Sequence, residues 1–336
     1  MATETVPAAA EPQAPETERP PETERQETLV MVRQLRWEAA GVVSVLLARP
    51  DGGQLPPWRP GAHVELLMPT GITRQYSLCG SPDDLSAYRI AVRQQPASRG
   101  GSEYVHSFLR PGQPLRIRGP RDNFGFEPAD SYLFIAGGIG ITPILPMVRQ
   151  AIDAGAKWQL FYGGRSVVSM AFRDELAPHR DSVRLYPADK AGHIPLAELL
   201  GGTTPGTVVY ACGPEPLLDA VTDGGAHLPK GTVRMERFRP RTREPLPNAP
   251  VEVVCERSGR TIDVPAERSV LDALGDAGLR VPSSCREGVC GTCETRVLGG
   301  VPDHRDDILS EDERENGDRM FVCVSRARTP QLVLDL

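Results

Sequence analysis

The pattern of apolar and polar residues divides the chain into regions of different structure. From Leu29 onward, short apolar or alternating runs such as residues 41–48 and 63–68 are separated by turns rich in Pro and Gly. Repeated short strands of this kind predict an antiparallel β-barrel or sandwich. Residues 1–28 are mainly Ala, Pro, Glu and Thr and lack the apolar side chains of a core. We therefore predict a disordered tail before the first strand.

Strands and helices alternate from residue 132 onward. Apolar strands are predicted at 132–136, 158–162 and 207–211, and the first and third run into turns containing Gly and then into helical stretches. This alternation predicts a doubly wound α/β domain built on a parallel sheet.

A segment rich in Pro and Arg follows, and such a composition marks a linker. Beyond it, the pattern predicts strands at 251–254 and 260–264, a helix at 270–277, and late strands near 320–324 and 331–336. The predicted organisation is therefore multi-domain, with a tail at 1–28, a barrel at 29–128, an α/β domain at 129–238, a linker at 239–249 and a C-terminal domain at 250–336.

Composition argues against a membrane protein and against wholesale disorder. The 336 residues are 40% hydrophobic and 24% charged, as in ordinary soluble proteins. No run reaches the roughly 18–20 apolar residues needed to cross a bilayer. The first residues show no basic start followed by an apolar stretch. We therefore expect a cytoplasmic protein with no membrane partner.

Charge is distributed unevenly along the chain. Residues 29–249 carry a net charge of +5, and residues 250–336 carry a net charge of −6. A basic middle suits phosphate-bearing ligands and an acidic end suits docking to a basic partner, although both are as consistent with solvated surfaces. No basic stripe with interleaved aromatic residues occurs, so nucleic acid is not expected as a partner.

Four of the seven cysteines form a spaced motif near the C-terminus. Four residues separate Cys285 from Cys290, two separate Cys290 from Cys293, and 29 separate Cys293 from Cys323. This is the spacing of plant-type [2Fe–2S] ferredoxins. A tight loop would offer three thiolates, and a distant strand would offer the fourth. A structural zinc site is the alternative, but such sites use paired knuckles, and Cys323 has no neighbouring cysteine in the sequence. Residues 250–336 resemble a plant-type ferredoxin domain, which implies an α+β β-grasp fold.

Two motifs in the barrel region suit a ring cofactor that carries a phosphate. Arg74-Gln75-Tyr76-Ser77 ends a predicted strand, so that an Arg, an aromatic ring and a hydroxyl could hold a phosphate, a ring and a ring nitrogen. Gly100-Gly101-Ser102 opens a predicted helix, where exposed amides bind phosphate. Either motif alone is better explained by a solvated Arg and a core Tyr.

Glycine turns in the α/β region suit a dinucleotide. Residues 137–143 follow a strand and begin a helix, and their glycines would let a pyrophosphate approach backbone amides. Cys212-Gly213-Pro214 ends another strand. Arg165 and Ser166 follow the second strand, where an adenosine ribose is expected. Arg165 suits either adenine or a 2′-phosphate, which leaves NADH and NADPH open.

In this order, the motifs and the segment 119–124 resemble the phthalate dioxygenase reductase family of the ferredoxin–NADP reductase superfamily, over about residues 29–336. The resemblance favours NADH and implies FMN, with its phosphate near Arg74 and its N5 facing Ser77. It also implies that Cys212 lies at the nicotinamide edge and that Phe238 covers the flavin ring, although a buried thiol and a core Phe are the alternatives. Ser77, Cys212 and Phe238 are thus the expected catalytic residues. The implied cofactor-binding residues are Arg74, Gln75, Tyr76, Ser77, Ile90, Val92, Gly100, Gly101, Ser102, Asn123, Gly138, Gly140, Thr142, Pro143, Arg165, Ser166, Cys212, Gly213 and Pro214.

The function that the resemblance implies is that of an oxygenase reductase. NADH would give two electrons at once to FMN, which would pass them singly through a [2Fe–2S] cluster to a separate oxygenase. The expected cluster ligands are Cys285, Cys290, Cys293 and Cys323. The expected partner is a Rieske-type non-haem iron oxygenase, with a haem-thiolate monooxygenase as the main alternative and a redox sensor without turnover as the less favoured one. The chain by itself is expected to be monomeric.

Overall fold

The computed structural model of the protein describes residues 26–244 and 247–336. Most of the predicted tail therefore lies outside the described residues. Its predicted end is wrong, because the first strand begins at Glu27 and not at Leu29. Glu27 and Thr28 pair with Arg118 and Ile117 of a neighbouring strand, so sheet pairing extends the strand beyond the apolar run.

Six antiparallel strands form the N-terminal domain. Their order in the sheet is β4-β3-β6-β1-β2-β5. A bridge between Leu78 and Ile90 joins the two outermost strands, and the Cys79 N–H donates to the Arg89 carbonyl at 2.8 Å. These contacts close the sheet into the predicted barrel. The elements are β1 (Glu27–Ala39), β2 (Val42–Ala48), β3 (Ala62–Leu67), β4 (Thr73–Ser77), β5 (Tyr88–Arg93), the helix α1 (Gly101–Ser107) and β6 (Pro114–Asp122).

The central domain is the predicted doubly wound α/β domain. Its five strands are parallel, in the order β11-β10-β7-β8-β9. Alternate residues of β7 face opposite sides of the sheet: Phe134 joins one apolar cluster with Ile144 of α2, and Ile135 joins another with Leu218 of α6. The elements are β7 (Ser131–Gly137), α2 (Ile141–Asp153), β8 (Lys157–Gly164), α3 (Arg173–Leu176), β9 (Val183–Pro187), α4 (Ala188–Ala191), α5 (Leu196–Gly201), β10 (Thr207–Cys212), α6 (Glu215–Gly224) and β11 (Val233–Glu236).

The C-terminal domain has the predicted β-grasp fold. A mixed sheet in the order β13-β12-β18-β14-β16 packs against α7 through Val253, Leu274 and Leu332, which are fully buried. Only the β12–β18 pair is parallel. The elements are β12 (Val251–Cys255), β13 (Arg260–Val264), α7 (Val270–Asp276), β14 (Glu294–Gly299), β15 (Pro302–Asp303), α8 (Glu311–Asn316), β16 (Arg319–Phe321), β17 (Arg326–Ala327) and β18 (Gln331–Leu334).

The strand predicted near 320–324 is shorter than expected. It ends at Phe321, because the amides of Val324 and Ser325 turn back and donate to the Phe321 carbonyl at 3.2 and 3.0 Å. Cys323 therefore lies in a turn that follows β16. The expectation that a strand supplies this fourth cysteine is corrected.

A charged cluster joins the barrel to the α/β domain. Glu175 of α3 accepts hydrogen bonds from Arg89 of β5 at 2.6 and 3.0 Å, and it also contacts Arg149 of α2. The Arg89 guanidinium lies 5.0 Å from the centre of the Phe172 ring, a cation–π distance.

Among the described residues, no helix is long and apolar enough to span a membrane.

Candidate active site

One cleft lies where the barrel, the end of β11 and the cysteine loop (residues 284–293) meet. Its open space is about 700 Å³, a volume that includes the solvent at its mouth. It brings together Arg74, Gln75, Ser77, Phe238 and Cys285, which the sequence analysis singled out from three regions of the chain. The lining residues are His63, Thr73, Arg74, Gln75, Ser77, Arg99, Glu236, Arg237, Phe238, Cys285, Glu287 and Val289.

The Arg74 side chain lies against the start of α1. A Cβ on Gly101 would fall 2.6 Å from Arg74 Cγ, so this close approach requires glycine. The Arg74 guanidinium donates to the carbonyls of Thr73 and Arg99, both at 2.7 Å. Ser102 Oγ accepts from the Gln95 amide at 3.1 Å. Arg74, which lines the cleft, and the predicted glycine turn are therefore neighbours.

Three residues assigned to the flavin by resemblance do not line this cleft with their side chains. Ile90 and Val92 are 0% and 1% exposed and belong to the barrel core, because the alternation of β5 points them inward. Tyr76 also packs on this core, and burial raises its pKa to about 12 against the opposing effect of Arg74.

Asn123, a fourth such residue, contacts the C-terminal domain instead. Its side-chain N–H donates to the Cys290 carbonyl at 3.0 Å.

The glycine turns after β7 and β10 meet at the carboxyl edge of the parallel sheet. These strands are neighbours, and the chain winds outward from them in opposite directions, which is where α/β sheets bind ligands. A Cβ on Gly140 would fall 2.2 Å from the Cys212 carbonyl oxygen, and one on Gly137 would fall 2.6 Å from Pro214 Cδ. The contact between the two turns therefore depends on glycine. The sheet edge gathers the predicted nicotinamide residues Gly138, Gly140, Thr142, Pro143, Cys212, Gly213 and Pro214.

Arg165 and Ser166 follow β8, the next strand along the same sheet edge. Ser166 begins a short helical turn, and its amide donates to Ser169 Oγ at 3.2 Å. Arg165 is exposed beside this turn, where its guanidinium is accessible to a nucleotide at the sheet edge.

Two titratable groups that line the cleft, the half-buried Glu236 and the buried His63, were missed by the sequence analysis. Glu236 pairs in register with Cys212, and burial raises its pKa to about 8, helped by the charge of Asp122. His63 is 5% exposed, and burial lowers its pKa to about 3, helped by Arg121. Within the described residues, neither Glu236 Oε2 nor His63 Nε2 has a hydrogen-bond partner. Burial therefore favours the neutral form of both side chains.

Cys212 itself is fully buried. Burial raises the pKa of its thiol well above the usual range, and the nearby Glu236 carboxylate acts in the same direction. The side chain is thus a neutral thiol at the sheet edge. Its position is the one predicted, but its chemistry is that of a small apolar contact surface and not of a nucleophile.

The four motif cysteines are arranged as two pairs. The Cys285 thiol contacts that of Cys290, and the Cys293 thiol contacts that of Cys323. Contact with Cys290 and hydrogen bonds from the Glu287 and Val289 amides lower the pKa of Cys285, although burial opposes them. Two thiolate pairs suit two irons, each of which takes two thiolates.

The paired arrangement differs from that of a single-ion site. No group of three or more His, Cys, Asp or Glu side chains in residues 26–244 and 247–336 is placed to hold one metal ion. Gly288 has φ +71°, and a Cβ there would fall 2.7 Å from Val324 Cγ2, so the tight turn of the cysteine loop requires glycine. The chemistry of the donor set therefore fits the predicted two-iron cluster.

The cysteine loop docks on the barrel through polar contacts. Thr292 Oγ1 donates to Glu65 Oε1 at 2.6 Å and accepts from Arg121 Nη1 at 2.8 Å. Arg99 forms an ion pair with Glu287, and Gln75 donates to Ser284. These contacts hold the cysteine pairs beside the cleft.

Comparisons with known proteins agree with this architecture. Residues 253–328 match the 2Fe-2S iron-sulfur cluster binding domain family, and residues 134–223 match the oxidoreductase NAD-binding domain family. Phenoxybenzoate dioxygenase subunit beta of Ectopseudomonas oleovorans is 41% identical over 91% of this chain and 96% of its own length. Phthalate dioxygenase reductase of Burkholderia cepacia is 38% identical over 89% of this chain and 94% of its own length.

Two solved structures are similar over nearly the whole chain. A phthalate dioxygenase reductase, described as a modular structure for electron transfer from pyridine nucleotides to [2Fe-2S], is 37% identical with a TM-score of 0.68 and covers 93% of this chain. The match spans 99% of that protein. An intact type IV self-sufficient cytochrome P450 monooxygenase is 40% identical with a TM-score of 0.89 over 97% of this chain. This chain spans only 43% of that protein.

The three domains and the cleft between them define an electron-transfer oxidoreductase. The chain belongs to the phthalate dioxygenase reductase family. This membership confirms the predicted cofactor set of FMN, NADH and one [2Fe–2S] cluster. It also confirms the predicted class of function, NADH-dependent electron transfer to an oxygenase.

The contact between Gly140 and Cys212 leads to a stability prediction. Gly140→Ala places a methyl group against the Cys212 carbonyl, so we expect the α/β domain to lose about 1–3 kcal/mol of stability, as in other overpacked sites. NADH binding should weaken in parallel. Gly201→Ala is the matched control, because a Cβ there meets nothing within 4 Å. Calorimetric unfolding and NADH titration would measure both effects. Equal stability of the two variants would contradict the prediction.

Proposed function

We propose that the cleft holds FMN between the barrel and the cysteine loop, and that Cys285, Cys290, Cys293 and Cys323 hold the cluster. One observation carries this proposal: the same cleft is lined by Arg74, Ser77 and Cys285. FMN and the cluster would supply the redox chemistry, and the chain would hold them close together. Electrons could then pass from flavin to cluster without leaving the protein.

The proposed residue roles follow from the contacts around the cleft. Arg74 and Ser102, beside Gly100 and Gly101, bind the flavin phosphate, and Ser77 faces the reactive edge of the ring. Phe238 is 40% exposed at the cleft and covers the ring until the nicotinamide replaces it. The turns after β7 and β10 hold the dinucleotide, with Cys212 at the nicotinamide edge. Arg165 and Ser166 hold the adenosine end.

The proposed partner is a separate Rieske-type non-haem iron oxygenase. The chain covers 94–98% of relatives named as reductases or subunits of dioxygenase and monooxygenase systems, and these names support an oxygenase as the partner. The reductase is proposed to act as a monomer in the cytoplasm, where its cluster-ligand cysteines stay reduced before the cluster is inserted.

A haem-thiolate acceptor is the second candidate. The observation that favours it is the TM-score of 0.89 to a self-sufficient cytochrome P450 monooxygenase, at 40% identity over 97% of this chain. Because that protein carries further sequence beyond the match, its activity is not transferred to this chain. The two candidates differ only in the metal centre that receives the electron.

Reconstitution distinguishes the two acceptors. We expect the reduced protein to reduce the Rieske centre of the oxygenase encoded nearest to this gene at least tenfold faster than a haem-thiolate domain. Stopped-flow spectra recorded at equal acceptor concentrations would follow each metal centre, and ferricyanide would serve as a small acceptor that needs no docking. Faster reduction of the haem would replace the Rieske proposal with the second candidate.

Replacement of one ligand tests the cluster site. Cys293→Ala removes a thiolate from the Cys293–Cys323 pair, so we expect loss of the iron–sulfur visible absorption while flavin remains bound. Cys255→Ala is the matched control, because Cys255 is a buried cysteine of the same domain outside the motif. Iron, sulfide and flavin analysis would measure the outcome. Two irons and two sulfides retained in Cys293→Ala would rule out the proposed ligand.

Helix α8 is the proposed contact surface for the partner. Several of its acidic residues already make contacts within the chain, and these contacts limit which of them can be substituted in a test. Lys230 of the α/β domain lies 2.7 Å from Asp312, 3.3 Å from Glu315 and 3.7 Å from Glu311, so part of this acidic surface is already paired within the chain. Glu313 caps the helix through the Ser310 amide and also pairs with Arg319. Reversing Glu313 would therefore damage the helix as well as change its charge.

Charge reversal should consequently be limited to Glu311 and Asp312. We expect Glu311→Lys/Asp312→Lys to slow delivery to the oxygenase, and rising salt to slow it in the unaltered protein, because both weaken attraction to a basic partner surface. Reduction of the flavin by NADH should respond less. Lys230→Ala controls for the loss of the internal pairs. Delivery that is insensitive to salt and to the double reversal would show that α8 is only a solvated surface.

A further inference from the structure

The Thr292 hydroxyl lies at the junction of three polar groups. Its oxygen is 2.6 Å from Glu65 Oε1, 2.8 Å from Arg121 Nη1 and 3.2 Å from Cys290 Sγ. Glu65 and Arg121 belong to β3 and β6 of the barrel, whereas Thr292 and Cys290 belong to the cysteine loop. The junction therefore exists only while the C-terminal domain is docked on the barrel.

A hydroxyl has one proton to donate, and at this junction two acceptors compete for it. Arg121 can only donate, so it occupies a lone pair of Thr292 Oγ1. A carboxylate can only accept, and so can a Cys290 thiolate that is bound to iron. A carboxylate oxygen at 2.6 Å is a strong acceptor, whereas sulfur accepts only weakly, so the proton is assigned to Glu65. In the docked protein, the Cys290 sulfur therefore receives no hydrogen bond from Thr292.

The Glu65 side chain is buried, and few donors lie near its carboxylate. Its side chain is 5% exposed, and Oε1 also lies 3.5 Å from the Gln75 side-chain nitrogen. Arg118 is 3.8 Å from Oε2, too far for a hydrogen bond. In the described part of the chain, Oε2 has no hydrogen-bond partner. The Thr292 hydroxyl is consequently the closest donor to this carboxylate.

We propose that Glu65 is a positioning residue that lowers the reduction potential of the docked cluster by holding the Thr292 proton away from the Cys290 sulfur. Hydrogen bonds to ligand sulfurs set cluster potentials, and a donated proton stabilises the added negative charge of the reduced cluster. When the domains separate, the Thr292 hydroxyl turns to Cys290 and the potential rises. The inference rests on the proposed function in one respect, the assignment of Cys290 as a ligand.

Docking of the C-terminal domain and reduction of the cluster must affect each other equally. If docking weakens the affinity of the cluster for an electron by some factor, reduction of the cluster must weaken docking by the same factor. One electron is added and no proton is transferred. Reduction thus favours release of the domain toward its acceptor.

The test is the midpoint potential of the cluster in the full-length holoprotein, followed by its electron paramagnetic resonance signal. Glu65→Met removes the acceptor and frees the Thr292 proton for Cys290. We expect a tenfold change in the flavin-to-cluster electron equilibrium toward the cluster, which is about 59 mV for one electron. Glu65→Gln keeps an acceptor oxygen but removes the charge, so it should change the equilibrium less than twofold. Thr292→Ser keeps the hydroxyl and should behave as the unaltered protein.

Variants at Thr292 distinguish the effect of its hydroxyl proton from the effect of the Glu65 charge. Thr292→Val alone should change the equilibrium less than twofold, because in the docked protein its proton is not on Cys290. In the Thr292→Val background, Glu65→Met should no longer raise the potential. The proposal is overturned if Glu65→Met has no effect, if Glu65→Gln or the double variant shows the same rise, or if Thr292→Val alone lowers the potential. Iron and sulfide should stay complete in all of these variants, whereas an error in the ligand assignment would be seen in the iron content of Cys293→Ala.

Discussion

The contact between the cysteine loop and the outer face of the barrel determines what the rest of the structure can do. Electrons would reach the cluster only if its thiolates lie beside the proposed flavin cleft, and the loop is held there by side chains of β3, β4 and β6 that contact Thr292, Ser284 and the Cys290 carbonyl. Every one of these contacts is polar. A polar interface of this kind can separate and reform without exposing an apolar core, which suits a domain that must meet two different partners.

The junction between the barrel and the α/β domain is a partly buried charged cluster that includes an aromatic contact. Glu175 is held by both Arg89 and Arg149, and Arg89 also packs on Phe172. Removing Glu175 would leave both arginines without their shared counterion in a partly buried site. The proposed flavin cleft and the proposed nicotinamide edge are thereby kept in a fixed relation, as hydride transfer between the two rings would require.

The sequence predicted those features that depend on local spacing or periodicity. The order of the three domains, the Arg74–Ser77 strand and the glycine turn after β7 are local patterns, and the structure places them where expected. The directions of Tyr76, Ile90 and Val92 depend on how the barrel closes, which no local pattern encodes. Glu236 was missed because its unusual pKa arises only from burial at the end of β11. Thr292 meets Glu65 only across a domain boundary, so neither residue stands out in the sequence.

The two cysteine pairs differ in how far apart their members lie in the sequence, and this difference affects how the domain folds. Cys285 and Cys290 lie on one short loop, so the unfolded chain can bring them together at small entropic cost. Cys293 and Cys323 enclose 29 residues that include β14 and α8, and their meeting requires the turn after β16 to be formed. Metal binding at such a site contributes directly to folding. With these four cysteines as the proposed ligands, the cluster would be a crosslink as well as an electron carrier, and a cell short of iron would have to maintain this domain without the bond that closes its longer loop.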